Sequence, residues 1–494
     1  MKFIVYAPAH FYGTEELSGI VDKNGFSLLQ AFSRIMRQLG EVIEVECPEQ
    51  AEPIYWQCVQ ENRACVLFSF APPHLLPITL ACPVVPVFGW EYADIPERIE
   101  EQCWLDDPRH DWRFALSKAA GAIVLSSHAR DIVRRSMGAM YPVAAVHWPL
   151  SASVKDQSSC FRALPHAGRR SMLSIRGSVG DSEHMGLDVD AIVCDEEDDT
   201  PAFDPSDAID LPPLDQIARH VHSVAAENPA MNDSGDLWSS EPLPCSWRMP
   251  PIVYIRTRLR GIVYTAVLSM SLEQDNWVDV VTGFGWSFRD VADATLLLVI
   301  DDPALESCQA KLVSELSKLS PLKCRVLAIY GMPSADEYAA LIHATTYYVS
   351  ASCASASCRH AADFMAAGIP VIAPAHTALG DLVQGDSALV VRSMPGTPRV
   401  WPHGDQDIYR TWWHQIDWQS LVEAYHKSYA VARKEPATYL AMGHLARTRA
   451  RAHCGPDAIK IEIQQFLRDI VTSGLMAQHE RQQAPAMHTL GMQS

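Results

Sequence analysis

Residues 346–374 read T-Y-Y-V-S-A-S-C-A-S-A-S-C-R-H-A-A-D-F-M-A-A-G-I-P-V-I-A-P. The apolar run at 346–351 predicts a strand, and the small residues after it predict a loop that leads into a helix over 359–367. Gly368 stops this helix, and the apolar run at 369–374 predicts the next strand. Two strands joined through a helix are typical of a parallel sheet, because parallel strands need a crossover connection.

The same alternation of strand and helix continues through both halves of the chain. Ser334 with Glu337 three residues later forms a capping box that opens a helix to about 344. The other predicted strands are 3–7, 41–47, 65–70, 84–88, 122–126, 261–268, 295–300 and 325–330. Short connections between these elements predict an α/β protein with two doubly wound domains, and the pattern beyond 401 is helical.

The composition excludes some classes of protein. The 494 residues hold 40 Lys and Arg against 59 Asp and Glu, a net charge of −19, whereas a nucleic-acid coat needs clustered basic residues. The 13 cysteines are odd in number and irregularly spaced, which suits a reducing compartment, so we expect a cytoplasmic protein. The longest uncharged stretch, 64–90, contains five prolines and is not expected to form a transmembrane helix.

An acidic segment separates the two predicted domains. No Lys or Arg lies between Arg176 and Arg219, whereas Asp and Glu recur throughout that stretch, so we expect a partly disordered insertion. Its run at 195–199 fits a divalent-metal site or a solvated loop, and the lack of a glycine turn favours the loop. The expected regions are a first domain at 1–150, the insertion at 151–250, a second domain at 251–400, helices at 401–475 and a flexible tail at 476–494.

Neither a G-x-x-x-x-G-K-[ST] phosphate loop nor a well-placed G-x-G-x-x-G is present, which argues against simple ATPases and dehydrogenases. Instead, 346–374 followed by H-T-A-L-G-D-L-V resembles the donor-binding segment of glycosyltransferase family 4. G-I-V-Y-T-A-V-L-S-M-S-L-E-Q-D-N-W at 261–277 resembles the first strand and phosphate loop of that family's second domain, and P-V-F-G-W-E-Y-A-D-I-P-E-R at 86–98 resembles its first domain. The resemblance implies the GT-B fold, in which two Rossmann-like domains face a cleft.

The resemblance also implies a nucleotide-diphosphate sugar as co-substrate, bound mainly to the second domain, with no tightly bound cofactor or metal. Catalysis then depends on stabilising the negative charge of the departing diphosphate. The family uses an Arg and a Lys for this purpose, and two glutamates eight positions apart for the sugar and the ribose. These four positions fall here on Gln274, Asp275, Ser355 and Asp363, and Thr265 lies on the preceding strand.

Other residues are candidates to replace the Arg and Lys that this sequence lacks at the phosphate site. Arg359 and His360 begin the helix that is expected to point into the cleft, where backbone N–H groups already favour an anion. We expect Arg359 either to bind phosphate or to be a surface residue. His360 would either help to bind the anion or have a structural role. Gly13 either lets the backbone approach the diphosphate or forms a plain turn.

Two residues after strands of the first domain are candidates for contact with an acceptor hydroxyl. His74 and Glu91 both lie beyond predicted strand ends, where ligands of open α/β sheets bind, although a loop or capping role is the alternative. Cys353, Cys358 and His360 have zinc-like chemistry but lack a fourth ligand.

Two functions remain open at this stage. The first is a retaining glycosyltransferase of polysaccharide or glycoconjugate synthesis, with a saccharide, lipid-linked or protein acceptor. The second is a catalytically inactive relative that acts as a binding or scaffold partner, because the two cations and the first glutamate are replaced. Arg130, Arg134 and Arg135 lie near one helix face and would meet anionic lipid at the inner membrane, meet a charged acceptor or, as the favoured alternative, face solvent.

Overall fold

A computed structural model describes residues 1–8, 25–96, 107–151, 154, 172–176, 178–184, 254–302, 305–397 and 412–472. Gly13, the acidic run 195–199 and the tail 476–494 lie outside these described residues.

The first domain is a parallel sheet with helices on both faces. Its strands are β1 (Lys2–Tyr6), β2 (Glu41–Glu44), β3 (Cys65–Ser69), β4 (Val84–Phe88), β5 (Ala122–Val124) and β6 (Val143–Ala145). They pair in the order β2-β1-β3-β4-β5-β6, and every pair is parallel. The accompanying helices are α1 (Gly25–Met36), α2 (Ala51–Gln60), α3 (Trp112–Ser117) and α4 (Ser127–Met137). The predicted strands of this domain are present, whereas α2 and β6 were not predicted.

The second domain is built around a seven-stranded sheet. Its strands are β8 (Ser178–Asp181), β10 (Ile262–Leu268), β11 (Ala294–Ile300), β12 (Arg325–Tyr330), β13 (Tyr347–Val349), β14 (Val371–Pro374) and β15 (Ala388–Val391). The order is β15-β14-β13-β10-β11-β12-β8, in which only the edge strand β8 is antiparallel. Read from β10 onward, this is the 3-2-1-4-5-6 order of dinucleotide-binding domains, and it reverses direction between β10 and β13.

Helices cover both faces of this second sheet. They are α5 (Trp277–Phe288), α6 (Leu305–Leu319), α7 (Ala335–Ala344), α8 (Arg359–Ala366), α9 (Trp418–Lys434) and α10 (Pro436–Cys454). Alternate residues of β11 enter two separate cores, since Leu296 packs with α5 and α9 and Leu297 packs with α7 and α8. Because both faces are buried, β11 is a continuous apolar run, as its sequence predicts.

The acidic segment contributes strands to the second domain. Strand β8, within the predicted insertion 151–250, pairs with β12, and β7 (Met172–Arg176) pairs with β9 (Tyr254–Arg258). Asp181 at the end of β8 accepts two hydrogen bonds from the Arg325 guanidinium, at 2.6 and 3.1 Å. The domain built on β10 therefore extends back before residue 251.

The region beyond 401 is not wholly helical. It contains strand β17 (Trp413–Ile416), which precedes α9. This strand pairs in antiparallel fashion with β16 (Ser393–Gly396), which lies before residue 401. The last helix, α11 (Pro456–Thr472), returns to the first domain, where Ile459, Ile463 and Phe466 enter the core formed by β1 and β3. Helix α11 thus completes the covering of the first sheet, although it follows the second domain in the sequence.

We predict that Asp181→Ala lowers the free energy of unfolding by about 3 kcal/mol, because it leaves the Arg325 charge buried with weaker partners. The side chains of Asp181 and Arg325 are only 11% and 8% exposed. The matched control is Asp290→Ala, whose ion pair with Lys323 is exposed and 3.9 Å long, and whose effect is expected within about 0.5 kcal/mol. Urea unfolding of both variants measures the difference, and equal effects would contradict a structural role for β8.

Candidate functional site

The candidate site lies at the carboxyl ends of β10 and β13. Ligands of doubly wound sheets bind where the strand order reverses, because the loops after the two central strands diverge there and leave a crevice. In this domain those loops are 269–276, after β10, and 350–358, after β13. The second loop leads directly into α8, whose first residue is Arg359.

The first domain contributes the other side of this site. The hydroxyl of Tyr92, after β4, donates to the side-chain oxygen of Gln274 at 2.9 Å. The backbone oxygen of Gln274 in turn accepts from Cys353 N at 2.7 Å, so the loops of both domains meet at this residue. Trp90 packs in the same apolar cluster as Cys353 and Ala354, so apolar contacts between the domains accompany these hydrogen bonds.

Asp275 folds back onto its own loop. Its Oδ2 accepts from Ser269 N at 2.7 Å, and burial raises the pKa of the carboxyl to about 6. Asp302, after β11, accepts from Ser271 N at 2.7 Å and from the Ser269 hydroxyl at 2.8 Å. Two N–H groups of the predicted phosphate loop therefore already bind carboxylates of this chain.

Arg359 is placed to receive an anion. Its guanidinium lies over the ring of Trp148, 4.7 Å from the ring centroid, and among the described residues it forms no ion pair with a carboxylate. A guanidinium stacked on an aromatic face keeps its N–H edge available for hydrogen bonds. This cation stands at the start of α8, where the backbone N–H groups of the helix also point.

His360 and Asp363 face the protein interior. His360 Nδ1 lies 3.0 Å from the Tyr338 hydroxyl, and burial lowers the pKa of this imidazole to about 3, so it is neutral. Asp363 is 1% exposed and accepts from Ser151 N at 2.9 Å, while burial raises the pKa of its carboxyl to about 6. In this conformation Asp363 binds the linker that follows the first domain.

Ser355 and Thr265 also have protein partners. The Ser355 hydroxyl donates to the backbone oxygen of Ser357 at 2.8 Å, and its N–H donates to Thr377 Oγ1 at 3.1 Å. Thr377 has φ +49°, which is strained for a β-branched residue and marks the loop after β14 as a constrained part of the site. Thr265 lies within β10 and is fully buried, with its hydroxyl 2.6 Å from that of Thr345.

The two acceptor-side candidates follow neighbouring strands. His74, after β3, stacks near His110 and Trp112 at 6.2 and 5.9 Å, and burial lowers the pKa of its imidazole to about 4. Glu91, after β4, is 7% exposed, and its backbone oxygen lies 3.2 Å from His128 Nε2. Both are therefore at the carboxyl edge of the first sheet, as their positions in the sequence predict.

Three further observations concern metal ligands, membrane-spanning helices and the arginines of α4. Among the described residues, no group of three or more His, Cys, Asp or Glu side chains is arranged to hold a metal ion. Within those same residues, no helix combines the length and apolar composition that crossing a bilayer requires. Arg130 pairs with Asp131 and Arg135 with Asp94, and Arg134 and Arg135 also donate to backbone oxygens.

Sequence reasoning missed an ionic contact that joins the domains. Asp381, after β14, accepts from Ser127 N at 2.8 Å, and its Oδ2 lies 2.9 Å from His147 Nε2. Ser127 begins α4, so the carboxylate also interacts with the positive end of that helix. The H-T-A-L-G-D-L-V segment contains Asp381, but His147 is 234 positions away and carries no local signal.

A second missed feature is a stacked histidine pair. The rings of His376 and His414 lie 3.9 Å apart with an interplanar angle of 7°. Burial lowers the pKa of both imidazoles, and that of His376 falls to about 3. The pair is therefore neutral and packs as two aromatic rings beside the strained Thr377.

We predict that the contact between His147 and Asp381 makes stability depend on pH. Burial lowers the pKa of His147, but Asp381 together with Cys358 and Glu462 raises it more, so its pKa lies above the ordinary value. Burial likewise raises the pKa of Asp381, yet His147 and Ser127 lower it more, so its pKa lies below the ordinary value. The contribution is fully present between about pH 4 and pH 6.5, and it is lost above the folded pKa of His147 and below that of Asp381.

His147→Gln is therefore expected to lower the free energy of unfolding by about 2 kcal/mol at pH 6, and by less at pH 9. The control is His444→Gln on the exposed side of α10, which is expected to have no effect at either pH. Urea unfolding at the two pH values measures this, and a His147→Gln effect that is constant with pH would contradict the ion pair.

No protein-family model matches this chain, and no curated protein matches its sequence. Among solved structures, sucrose-phosphate synthase from Thermosynechococcus elongatus is similar with a TM-score of 0.50 at 13% identity, over 96% of this chain and 100% of that chain. A glycosyltransferase from Rickettsia africae matches with a TM-score of 0.49 at 9% identity, over 95% of this chain and 98% of that chain. HepE from Anabaena, solved in complex with UDP and glucose, matches with a TM-score of 0.47 at 12% identity, over 95% of this chain and 99% of that chain. The first likeness and the two sheet orders show that this chain has the GT-B fold, with two Rossmann-like domains.

Proposed function

We propose that this protein is a glycosyltransferase that moves a sugar from a nucleotide-diphosphate donor to a saccharide, lipid-linked or protein acceptor, in polysaccharide or glycoconjugate synthesis. The observation that carries the proposal is the Arg359 guanidinium, which begins α8 at the reversal point of the second sheet. Relatedness to family 4 is part of the proposal and rests on the quoted stretches 261–277 and 346–374.

The charge requirement of such a reaction agrees with this placement. A diphosphate linked to a nucleoside and a sugar carries about two negative charges, and its departure needs donors already in position. Arg359 supplies a cation with a planar fork that fits phosphate oxygens, and the N-terminal N–H groups of α8 supply further donors. Trp148 holds the guanidinium in place, which limits the side-chain entropy lost on binding.

The proposed reaction uses the donor as a co-substrate, without a tightly bound metal, and retains the anomeric configuration. The acceptor would bind against the first domain, where Glu91 is the proposed contact for its hydroxyl. His74 is neutral at pH 7 because burial lowers the pKa of its imidazole, so it would act as a hydrogen-bonding group and not as a cation.

One observation favours a second candidate, a non-catalytic binding protein with the same fold. Gln274, Asp275 and Ser355 replace charged positions of the family, and in this structure each has a hydrogen-bond partner within the protein. A protein of this kind would bind a nucleotide, a saccharide or a partner enzyme without transferring a sugar.

We predict that Arg359→Ala weakens the binding of a nucleotide sugar at least tenfold, because it removes the cation at the start of α8. Calorimetry with UDP-, GDP- and ADP-glucose measures the dissociation constants. Arg289→Ala, an exposed arginine at the end of α5, is the matched control and is expected to bind like the wild-type protein. No binding of any of these sugars by the wild-type protein would contradict the transferase.

We predict that Glu91→Gln lowers the turnover of donor into product about 100-fold while leaving the donor dissociation constant unchanged, because Glu91 is proposed to contact the acceptor. Product formation is followed with the donor that binds best, and the anomeric proton of the product reports whether configuration is retained. Glu423→Gln on the exposed side of α9 is the control. A donor that binds but is never consumed, across saccharide and lipid-linked acceptors, would favour the non-catalytic candidate.

A further inference from the structure

We propose that Asp275 limits how tightly this protein binds a diphosphate, because its carboxylate occupies an anion position in the loop 269–276. The inference rests on the proposed function, since it concerns the same site. It identifies a specificity-determining residue that acts by repulsion, whereas Arg359 acts by attraction.

The hydrogen bonds of the loop 269–276 indicate that carboxylates of the chain occupy the place of a bound anion. Asp275 Oδ2 is 2.7 Å from Ser269 N, the first residue after β10, and Asp302 Oδ2 is 2.7 Å from Ser271 N. Backbone N–H groups in the loop after the first strand of such a domain are the groups that approach a phosphate. Here each of these two N–H groups already donates to a carboxylate, so the loop holds its negative charge from within the chain.

The neighbours of Asp275 increase its repulsion of an anion. Asp301 and Asp302 follow β11 beside it, Glu273 lies in the same turn, and Tyr348 of β13 is close enough to interact electrostatically. Within the described residues, no Lys or Arg forms an ion pair with Asp275. A diphosphate bound by Arg359 and by the loop 269–276 would therefore be repelled by the Asp275 carboxylate.

Protonation of Asp275 would relieve this repulsion. Burial raises the pKa of its carboxyl to about 6, against the lowering effect of the Ser269 N–H, and Asp301 raises it further. A protonated carboxyl is neutral and gains one O–H donor. Diphosphate affinity is therefore expected to rise as the pH falls from 8 through about 6.

The test compares Asp275→Asn with the wild-type protein, because asparagine keeps an acceptor for Ser269 N but removes the charge. Binding of inorganic pyrophosphate and of UDP-, GDP- and ADP-glucose is measured by calorimetry at pH 7.5 and pH 5.5. The diphosphate of a nucleotide sugar does not titrate in this range, so it isolates the protein's own pH dependence. Asp290→Asn, an exposed carboxylate just beyond α5, is the control for a change in net charge.

We expect Asp275→Asn to bind these ligands at least tenfold more tightly at pH 7.5, and to lose most of the rise in affinity that the wild-type protein shows at pH 5.5. Equal or weaker binding by Asp275→Asn, with wild-type binding that still depends on Arg359, would overturn this inference and leave the proposed function intact. Failure of both wild-type and Asp275→Asn proteins to bind any of the ligands would overturn both. Thermal unfolding of each variant checks that the loop change leaves the fold in place.

Discussion

The carboxylate of Asp381 joins the two domains of this protein. It belongs to the second domain, yet it accepts a hydrogen bond from the first residue of α4 and lies against His147, both contributed by the first domain. Because the contact is nearly buried, neither partner is easily replaced by water, and breaking it leaves an uncompensated charge. The contact therefore helps to hold the carboxyl edges of the two sheets against each other.

Around that contact, most polar groups of the site are engaged with the protein itself. Tyr92 and Gln274 connect the loops of the two domains, Asp363 binds the linker at Ser151, and Ser355 binds within its own loop. Arg359 differs, since its guanidinium rests on an aromatic ring and forms no ion pair among the described residues, although it lowers the pKa of Asp363 electrostatically. Among the described residues, the site therefore combines polar groups that hydrogen-bond within the protein with the Arg359 guanidinium, which forms no ion pair there.

Much of the fold follows from local patterns, whereas side-chain direction does not. Strand β11 is seven consecutive buried residues, and the capping box of α7 is present as Ser334 and Glu337 predict. Strands β16 and β17 contain no apolar run, so neither was predicted, and the region beyond 401, which holds β17, was expected to be helical. Helix α2 has only three buried residues and a proline in its first turn, so its apolar pattern is too weak to predict a helix.

In the candidate site too, the sequence predicts where a residue lies along the chain but not where its side chain points. Motif position places Gln274 and Asp275 in the loop after β10 and Arg359 at the start of α8, because these segments follow predicted strands. Position gave no account of where Asp275 points, since that depends on Ser269 and on Asp302 of a different loop. Contacts across hundreds of residues, such as that of His147, depend on the packing of two whole sheets and leave no trace in a local pattern.

The return of α11 to the first domain affects how the chain is made. About 300 residues separate β6 from this helix, so a ribosome exposes all six strands of the first sheet long before their last covering layer is synthesised. During that interval, the apolar surface that later receives Ile459, Ile463 and Phe466 faces the solvent. A nascent chain is therefore expected to expose this apolar part of the first sheet until α11 has been synthesised. A chaperone that binds the exposed surface would raise the yield of native protein.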